Sequence, residues 1–304
     1  MIHRSGTSRL IFGLAIFILI VPIASRLWGA PVIDFSKLTI KLSGGVNDFR
    51  NGDFNRYVEL MNAFYGSYRP NTTSLLQKFN SGWEGWGEVY VPLAPKLSLG
   101  LGCGYIQAKK LENTLANDYG RNRNPPIVYT LSYVLDTKVS AVPVTLSLSY
   151  VWGESDAIFL YATAGGGYYF GRWNNTINYN YQYISYRYAA KTAETASAGA
   201  FGFHGGIGLE WKIAGRFSLF FEGFGRYAKI SGFEGNRITT VQGSRTESTV
   251  HGTLYFYEHK YNAQYWETLL SIANGLSGDN YRNVREAVVD FSGWTFRIGW
   301  MVRL

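Results

Sequence analysis

Apolar side chains recur at every second position through eight long segments of this chain, and the links between those segments alternate between short and long. A period of two is the signature of a β-strand whose two faces meet different surroundings. The segments are Leu38–Val46, Gly82–Leu93, Leu97–Gln107, Lys138–Val151, Ala157–Phe170, Ala198–Lys212, Arg216–Ile230 and Phe291–Leu304. In the last of them Trp294, Phe296, Ile298, Trp300, Val302 and Leu304 share one face, against Thr295, Arg297 and Arg303 on the other. Residues 94–96, 152–156 and 213–215 are tight links with Pro, Gly and Asp where hairpin turns need them. The other links, 47–81, 108–137, 171–197 and 231–290, are long.

Strict alternation of short and long links fits an up-and-down barrel whose two ends meet different compartments. Outer-membrane barrels have even strand numbers, short periplasmic turns and long extracellular loops. A tilted strand crosses a bilayer in about 9–11 residues, and a ring without edges satisfies its backbone in lipid. A soluble eight-stranded ligand-binding barrel also alternates, with its apolar face inward. Aromatic residues at strand ends (Trp83, Tyr105, Tyr150, Trp211, Tyr227, Trp294, Trp300) match the girdles of a membrane barrel. The expected fold is therefore all-β: an eight-stranded antiparallel transmembrane barrel with long, partly helical extracellular loops.

Composition agrees. Aromatic residues make up 17% and glycines number 35, while charged residues are 16%, against roughly 25% in an ordinary soluble chain. Mean hydropathy is −0.09, which excludes a bundle of apolar helices. The single cysteine, Cys103, excludes an intramolecular disulfide framework and a cysteine-cluster metal site.

Residues 1–30 contain no Asp or Glu, and Arg4 and Arg9 precede an apolar run from Leu10 to Ala24. That is the pattern of a secretory signal peptide, with cleavage between 24 and 30 and a single barrel domain from 31 to 304. A lone membrane anchor is the other reading. Losing Arg4, Arg9 and Arg26 lowers the formal charge of +8 by three. The remaining excess is spread along the chain. It suits anionic lipid head groups, and nucleic acid is not an expected partner.

Chain and pattern resemble the small outer-membrane β-barrel proteins of Gram-negative-type bacteria, of OmpA/OmpX/OmpW-like architecture. The resemblance spans about 38–304. It rests on Leu97-Ser98-Leu99-Gly100-Leu101-Gly102-Cys103-Gly104-Tyr105 and on the closing strand 294–304. It implies that the barrel-assembly machinery reads Trp294, Phe296, Ile298, Trp300, Val302 and Leu304. It departs from the family in ending on Leu304 instead of Phe or Trp. It also implies an integral outer-membrane location, with both termini periplasmic and lipopolysaccharide among the contacts.

If the apolar parity faces lipid, the interior receives Lys41, Glu84, Glu88, His204, Glu210, Glu222, Arg226, Arg297 and Arg303. Such charges are expected to pair and fill a narrow barrel, with Glu222 facing Glu210 or Arg297. An ion path or a catalytic carboxylate pair is the sharper alternative. The inward glycines Gly100, Gly102, Gly206 and Gly208 make room for large side chains or leave a watery lumen. No catalytic residue, metal or cofactor is expected. Lipid-modifying barrels of the deacylase kind carry His and Ser two apart, whereas His204 is followed by Gly205 and Gly206, and His251 lacks Ser and acidic partners at a recognisable spacing.

In the loops, Phe54, Tyr57, Val58, Met61 and Phe64 predict a helix within 52–65 that begins near Asp53. Ala263, Trp266, Leu269, Leu270 and Ala273 predict a second over 262–273, and 281–289 a third after Asp279. These helices either pack over the mouth or present Phe54, Tyr57, Trp266 and Leu270 to a ligand. Tyrosines 179, 181, 183, 186 and 188 predict hairpin extensions of strands four to seven, suited to protein or glycan recognition. Segment 251–261 reads as another extension or as part of a ninth and tenth strand, the latter disfavoured. Function is expected to be structural, adhesive or recognition. A narrow channel for small apolar molecules and a lipid-modifying enzyme are the alternatives.

Overall fold

The computed structural model describes residues 37–68, 76–79, 81–120, 127–183, 186–242, 247–260 and 262–304. The expected signal segment 1–30 lies outside them. Strands β1 (Thr39–Asp48), β2 (Ser81–Ala94), β3 (Leu97–Gly120), β4 (Ile127–Glu154), β5 (Ile158–Tyr183), β6 (Tyr186–Ala214) and β7 (Phe217–Tyr227) are joined by β14 (Gly293–Arg303). Each pairs antiparallel with two neighbours. β14 lies between β7 and β1, so these eight form a continuous ring. All eight segments expected from periodicity are in it. The links Pro95–Lys96 and Gly215–Arg216 are two-residue turns, the latter made possible by a φ of +50° at Gly215.

Above the ring the sheet opens. β6 serves two partners on one flank: its lower half pairs β7, and Ala190–Ser197 pair β9 (Glu234–Val241). β10 (Glu247–Lys260) follows β9, and β11 (Trp266–Ala273) and β12 (Tyr281–Glu286) both pair β10. The main sheet therefore has twelve strands, not eight. A short pair, β8 (Lys229–Ile230) with β13 (Val289–Asp290), bridges the two tiers.

Three expectations for the long links are corrected. β4, β5 and β6 continue over 127–137, 171–183 and 186–197, as the tyrosine pattern predicts, and β3 continues over 108–120 as well, but β7, expected to extend with them, stops at Tyr227. The helix expected over 262–273 is strand β11, and that over 281–289 is β12 and β13. The reason is a two-fold reading of the same apolar run. In β11 Thr268, Leu270 and Ile272 alternate inward and are buried, and β10 supplies the backbone partners a helix would have found within itself. Residues 251–260 of that segment belong to β10, which adds to the upper sheet and not to the ring, and residue 261 lies outside the described residues.

The first expected helix is present as α1 (Gly52–Tyr68). Its start is fixed by Asn51, at φ +43°, whose carbonyl accepts from the amides of Phe54 and Asn55. Phe54, Tyr57, Val58 and Met61 recur at helical spacing and are all buried, with Phe49, Phe79, Trp173, Leu254, Leu270 and Ile272 in the same core. The helix thus packs against the upper sheet, with its contacts on β11 and β13. No described helix is long and apolar enough to cross a membrane, a statement that leaves β-barrels aside.

The ring is apolar outside. Val46, Phe201, Phe203, Ile207, Trp294 and Phe296 are each at least 65% exposed. Tyr150, Trp211 and Trp300 cluster toward the short turns, and Trp83, Tyr227 and Trp294 toward the other end.

Candidate functional site: the charged interior and its cap

Inside the ring the opposite parity brings charge together. Glu84 on β2 is the hub. Its Oε1 accepts from Arg297 Nε at 2.6 Å and Trp86 Nε1 at 2.9 Å, and its Oε2 from Arg226 Nη1 at 2.7 Å. Thr295 and Asn47 donate to Oε2 as well. The side chains of Glu84, Arg226 and Arg297 are wholly buried. Lys41 donates to Glu222 at 2.9 Å and lies 3.5 Å from Glu88. Arg297 Nη1 sits 3.6 Å from Glu222, its register partner on β7. Glu210 does not face Glu222 but accepts from Arg303 at 2.6 Å.

Four carboxylates and four cations thus share this interior in two linked clusters and one outlying pair. Lone buried charges are costly, and mutual pairing with added hydrogen bonds is the arrangement that tolerates them. Aromatic faces supplement the pairs. The Arg297 guanidinium lies 3.5 Å from the Phe224 ring centroid and 4.4 Å from that of Trp86, and Lys41 is 4.4 Å from that of Phe220. The inward glycines make these rings fit. A side chain at Gly100 would strike Tyr90, one at Gly104 would strike Trp86, and one at Gly208 would strike Tyr161.

His204 is stacked on Phe224, and its Nε2 is 2.8 Å from Ser147 Oγ. That pair resembles a base and its nucleophile, but no described residue hydrogen-bonds the His204 Nδ1 that a triad would orient. His251 lies exposed on β10.

Toward the cap, Phe54, Tyr57 and Leu270 are buried in the upper core, and Trp266 is half-buried with the Arg282 guanidinium 4.2 Å from its ring centroid. Phe54, Tyr57 and Leu270 therefore pack the plug and do not line an open entrance. Several contacts of the cap escaped sequence reasoning, which placed Asp53 only at the helix start. Asp53 accepts from both terminal nitrogens of Arg285 at 2.5 Å and from the Val288 amide. Asn55 and Asn62, seven apart on α1, each clamp one residue of segment 76–79 by donating to its carbonyl and accepting from its amide. Buried Glu194 accepts from Asn175, Ser271 and the Ile272 amide. The seven-residue spacing of the two asparagines was the one signal available in the sequence. At the hairpin tip Tyr179 meets Tyr188 and Tyr181 meets Tyr186 edge to face.

At the short-turn end lies a cavity of about 480 Å³ whose lining includes the buried Lys41, Tyr90 and Tyr161.

No family model and no curated protein matches the chain. Among solved structures it is similar to that of a major outer membrane protein from Thermus thermophilus, at 14% identity and a TM-score of 0.32, covering 87% of this chain and 99% of that one.

Proposed function

We propose that this protein is an integral outer-membrane β-barrel without catalytic activity, whose work is structural, adhesive or recognition through the cap above the membrane. The observation that carries the reading is its inverted polarity: charges are paired inside the ring and large apolar side chains stand exposed around it. A soluble barrel reverses that order. Exposed apolar surface on this scale marks contact with lipid or another apolar body. Both termini and the short turns would then face the periplasm. Outer-membrane lipid and lipopolysaccharide would meet the aromatic tiers. The assembly machinery would read the outward face of β14, and a protein or glycan would meet the tyrosine-edged cap.

The ionic clusters and the plug α1 support a closed lumen. Planar-bilayer recording and carbonate extraction of bacterial membranes test both parts. The expected results are no stepwise conductance and retention in the outer-membrane fraction. Stepwise conductance would put a channel in place of the closed barrel, and release by carbonate would refute membrane integration.

A further inference from the structure

We propose that the outward face of β3, β4 and β5 carries a site for one anionic lipid, its phosphate held by Lys109, Lys138 and Arg172 and an acyl chain laid in the apolar groove beneath them. The site rests on the reading of the ring as membrane-embedded and gives that contact a lipid class and a place. Lys109 and Lys138 are direct cross-strand partners, and like charges in that relation destabilise a sheet. Arg172 lies opposite Ser140, so it is a diagonal neighbour of Lys138, roughly 7–8 Å away. Asp136 engages Lys109 at 3.3 Å. Lys138 has the Tyr105 ring 6.0 Å away, and neither it nor Arg172 has a hydrogen bond or ion pair among the described residues. Glu234 stands in the row of Arg172 on β9, beyond Ser197, about 10 Å from it by strand spacing. Three cations, none of them buried, thus touch one carboxylate. A phosphate among them would relieve the repulsion and accept a charge-assisted hydrogen bond from each.

Toward the short turns the same strands present an apolar face. A groove of about 500 Å³ runs between Leu101, Leu146, Tyr168, Phe201 and Phe203. Gly166 makes its notch. It pairs with Leu146 on one side and Phe203 on the other and places no side chain between them. Tyr168 leans away from the notch, over Gly199, and packs edge to face on Phe170 at 4.9 Å and Phe201 at 5.1 Å. Phe201 and Phe203 stand 78% and 68% exposed, as the walls of a site for another apolar body would. From Gly166 to Arg172 is about 20 Å along β5. Cations at the cap end and a groove at the other match the two ends of a lipid. A chain descending from a phosphate at Arg172 would enter the notch and be flanked on both sides.

The test titrates dioleoyl phosphatidic acid, dioleoyl phosphatidylcholine or glycerol 3-phosphate into the full protein in dodecyl maltoside and reads the first bound molecule by native mass spectrometry. Phosphatidic acid should bind about tenfold tighter than either of the others. Joint replacement Lys138→Gln and Arg172→Gln should bring it down to the level of phosphatidylcholine. Gly166→Leu fills the notch and should weaken both lipids by about tenfold. Two controls on other parts of the ring, Lys212→Gln near the short turns and Gly223→Leu on the outward face of β7, should stay within about twofold of the parent. Heat-modifiability on gels checks each fold. If Gly166→Leu does not fold, dihexanoyl phosphatidic acid tests the groove without a variant and should bind about tenfold weaker than the dioleoyl lipid. Equal binding of the two dioleoyl lipids, a cation variant that binds like the parent, or glycerol 3-phosphate binding as tightly as phosphatidic acid would each overturn the proposal. Carbonate extraction keeps the two readings apart: retention in the membrane with equal lipid binding overturns this site alone, and release overturns both.

Discussion

Arg297 and Glu84 stand 213 positions apart in the chain and meet at 2.6 Å in the middle of the ring, neither exposing any side-chain surface. Arg226 reaches the other oxygen of the same carboxylate from β7, across two intervening strands. Replacing Glu84 by Gln would keep its volume and leave two guanidinium groups facing an amide. Breaking a buried pair from one side costs roughly 3–5 kcal/mol. Glu84→Gln is therefore expected to lower the urea midpoint of the refolded protein strongly. Arg297→Ala should cost less, because Arg226 still holds Glu84. Unchanged midpoints in both variants would mean that these pairs do not form in the refolded protein.

The cap is fastened separately. Asp53, in the first turn of α1, holds Arg285 through both terminal nitrogens and also accepts from the Val288 amide. Arg285 is partly exposed, and exposed pairs contribute only ~1 kcal/mol or less. Asp53→Ala removes the bond to Val288 as well as the ion pair. It should therefore loosen the cap by about 1–2 kcal/mol while the ring stays intact. Limited proteolysis reads the difference: faster cleavage within 262–292 with unchanged heat-modifiability on gels. Loss of heat-modifiability would show that ring and cap unfold as one unit.

Glu112, on the extension of β3 beyond the ring, gives the cap a pH dependence. Burial is the largest influence and raises its carboxyl above the ordinary 4.5, against the Gln77 amide and Lys110, which lower it. A carboxyl raised on folding favours the fold when protonated. Its contribution is full below the unfolded value and lost as pH rises through the folded one. Hydrogen exchange of segment 76–79 should accordingly slow on acidification from neutral pH to about 4, after correction for intrinsic exchange. Glu112→Gln keeps an acceptor for the Gln77 amide and should abolish the dependence. A variant retaining the parent's pH profile would assign it to another group.

How much of this was legible beforehand follows from what periodicity can encode. The ring strands each have an apolar outer face and a polar or small inner one, so a period of two marks all eight, and the parity that holds Glu84 and Glu88 also holds Trp86 and Tyr90. Helix α1 was legible because Phe54, Tyr57, Val58 and Met61 fit only one period. In β11 the residues 266, 269, 270 and 273 fit a helix, while 268, 270 and 272 fit a strand. What decided it was the open flank of β10, a tertiary fact. The ion pairs were legible as a set and not as partners. Lys41–Glu222 and Arg226–Glu84 cross the interior between strands that are not neighbours in the ring, and lumen width is not written in strand parity.

The outward face offers the test that separates a membrane ring from a soluble one. Ile207 on β6 and Ile298 on β14 lie near mid-height of the ring, 66% and 52% exposed. In water, lysine at such positions would be neutral or would help solubility. In a bilayer, a lysine at the midplane of a barrel's lipid face costs about 2–4 kcal/mol, falling to about 0–1 near the interfaces. Ile207→Lys and Ile298→Lys should therefore each destabilise the lipid-embedded protein by that larger amount. Phe217→Lys, beside the short turns, should cost about 1 kcal/mol or less by the same depth rule. Tyr186→Lys, at the tip of the β5–β6 hairpin, should have no depth-dependent cost. Unfolding in lipid vesicles measures all four on one scale. A gradient from mid-height to tip supports a ring embedded at this level; equal, near-zero effects at all four positions would remove the bilayer from around these strands.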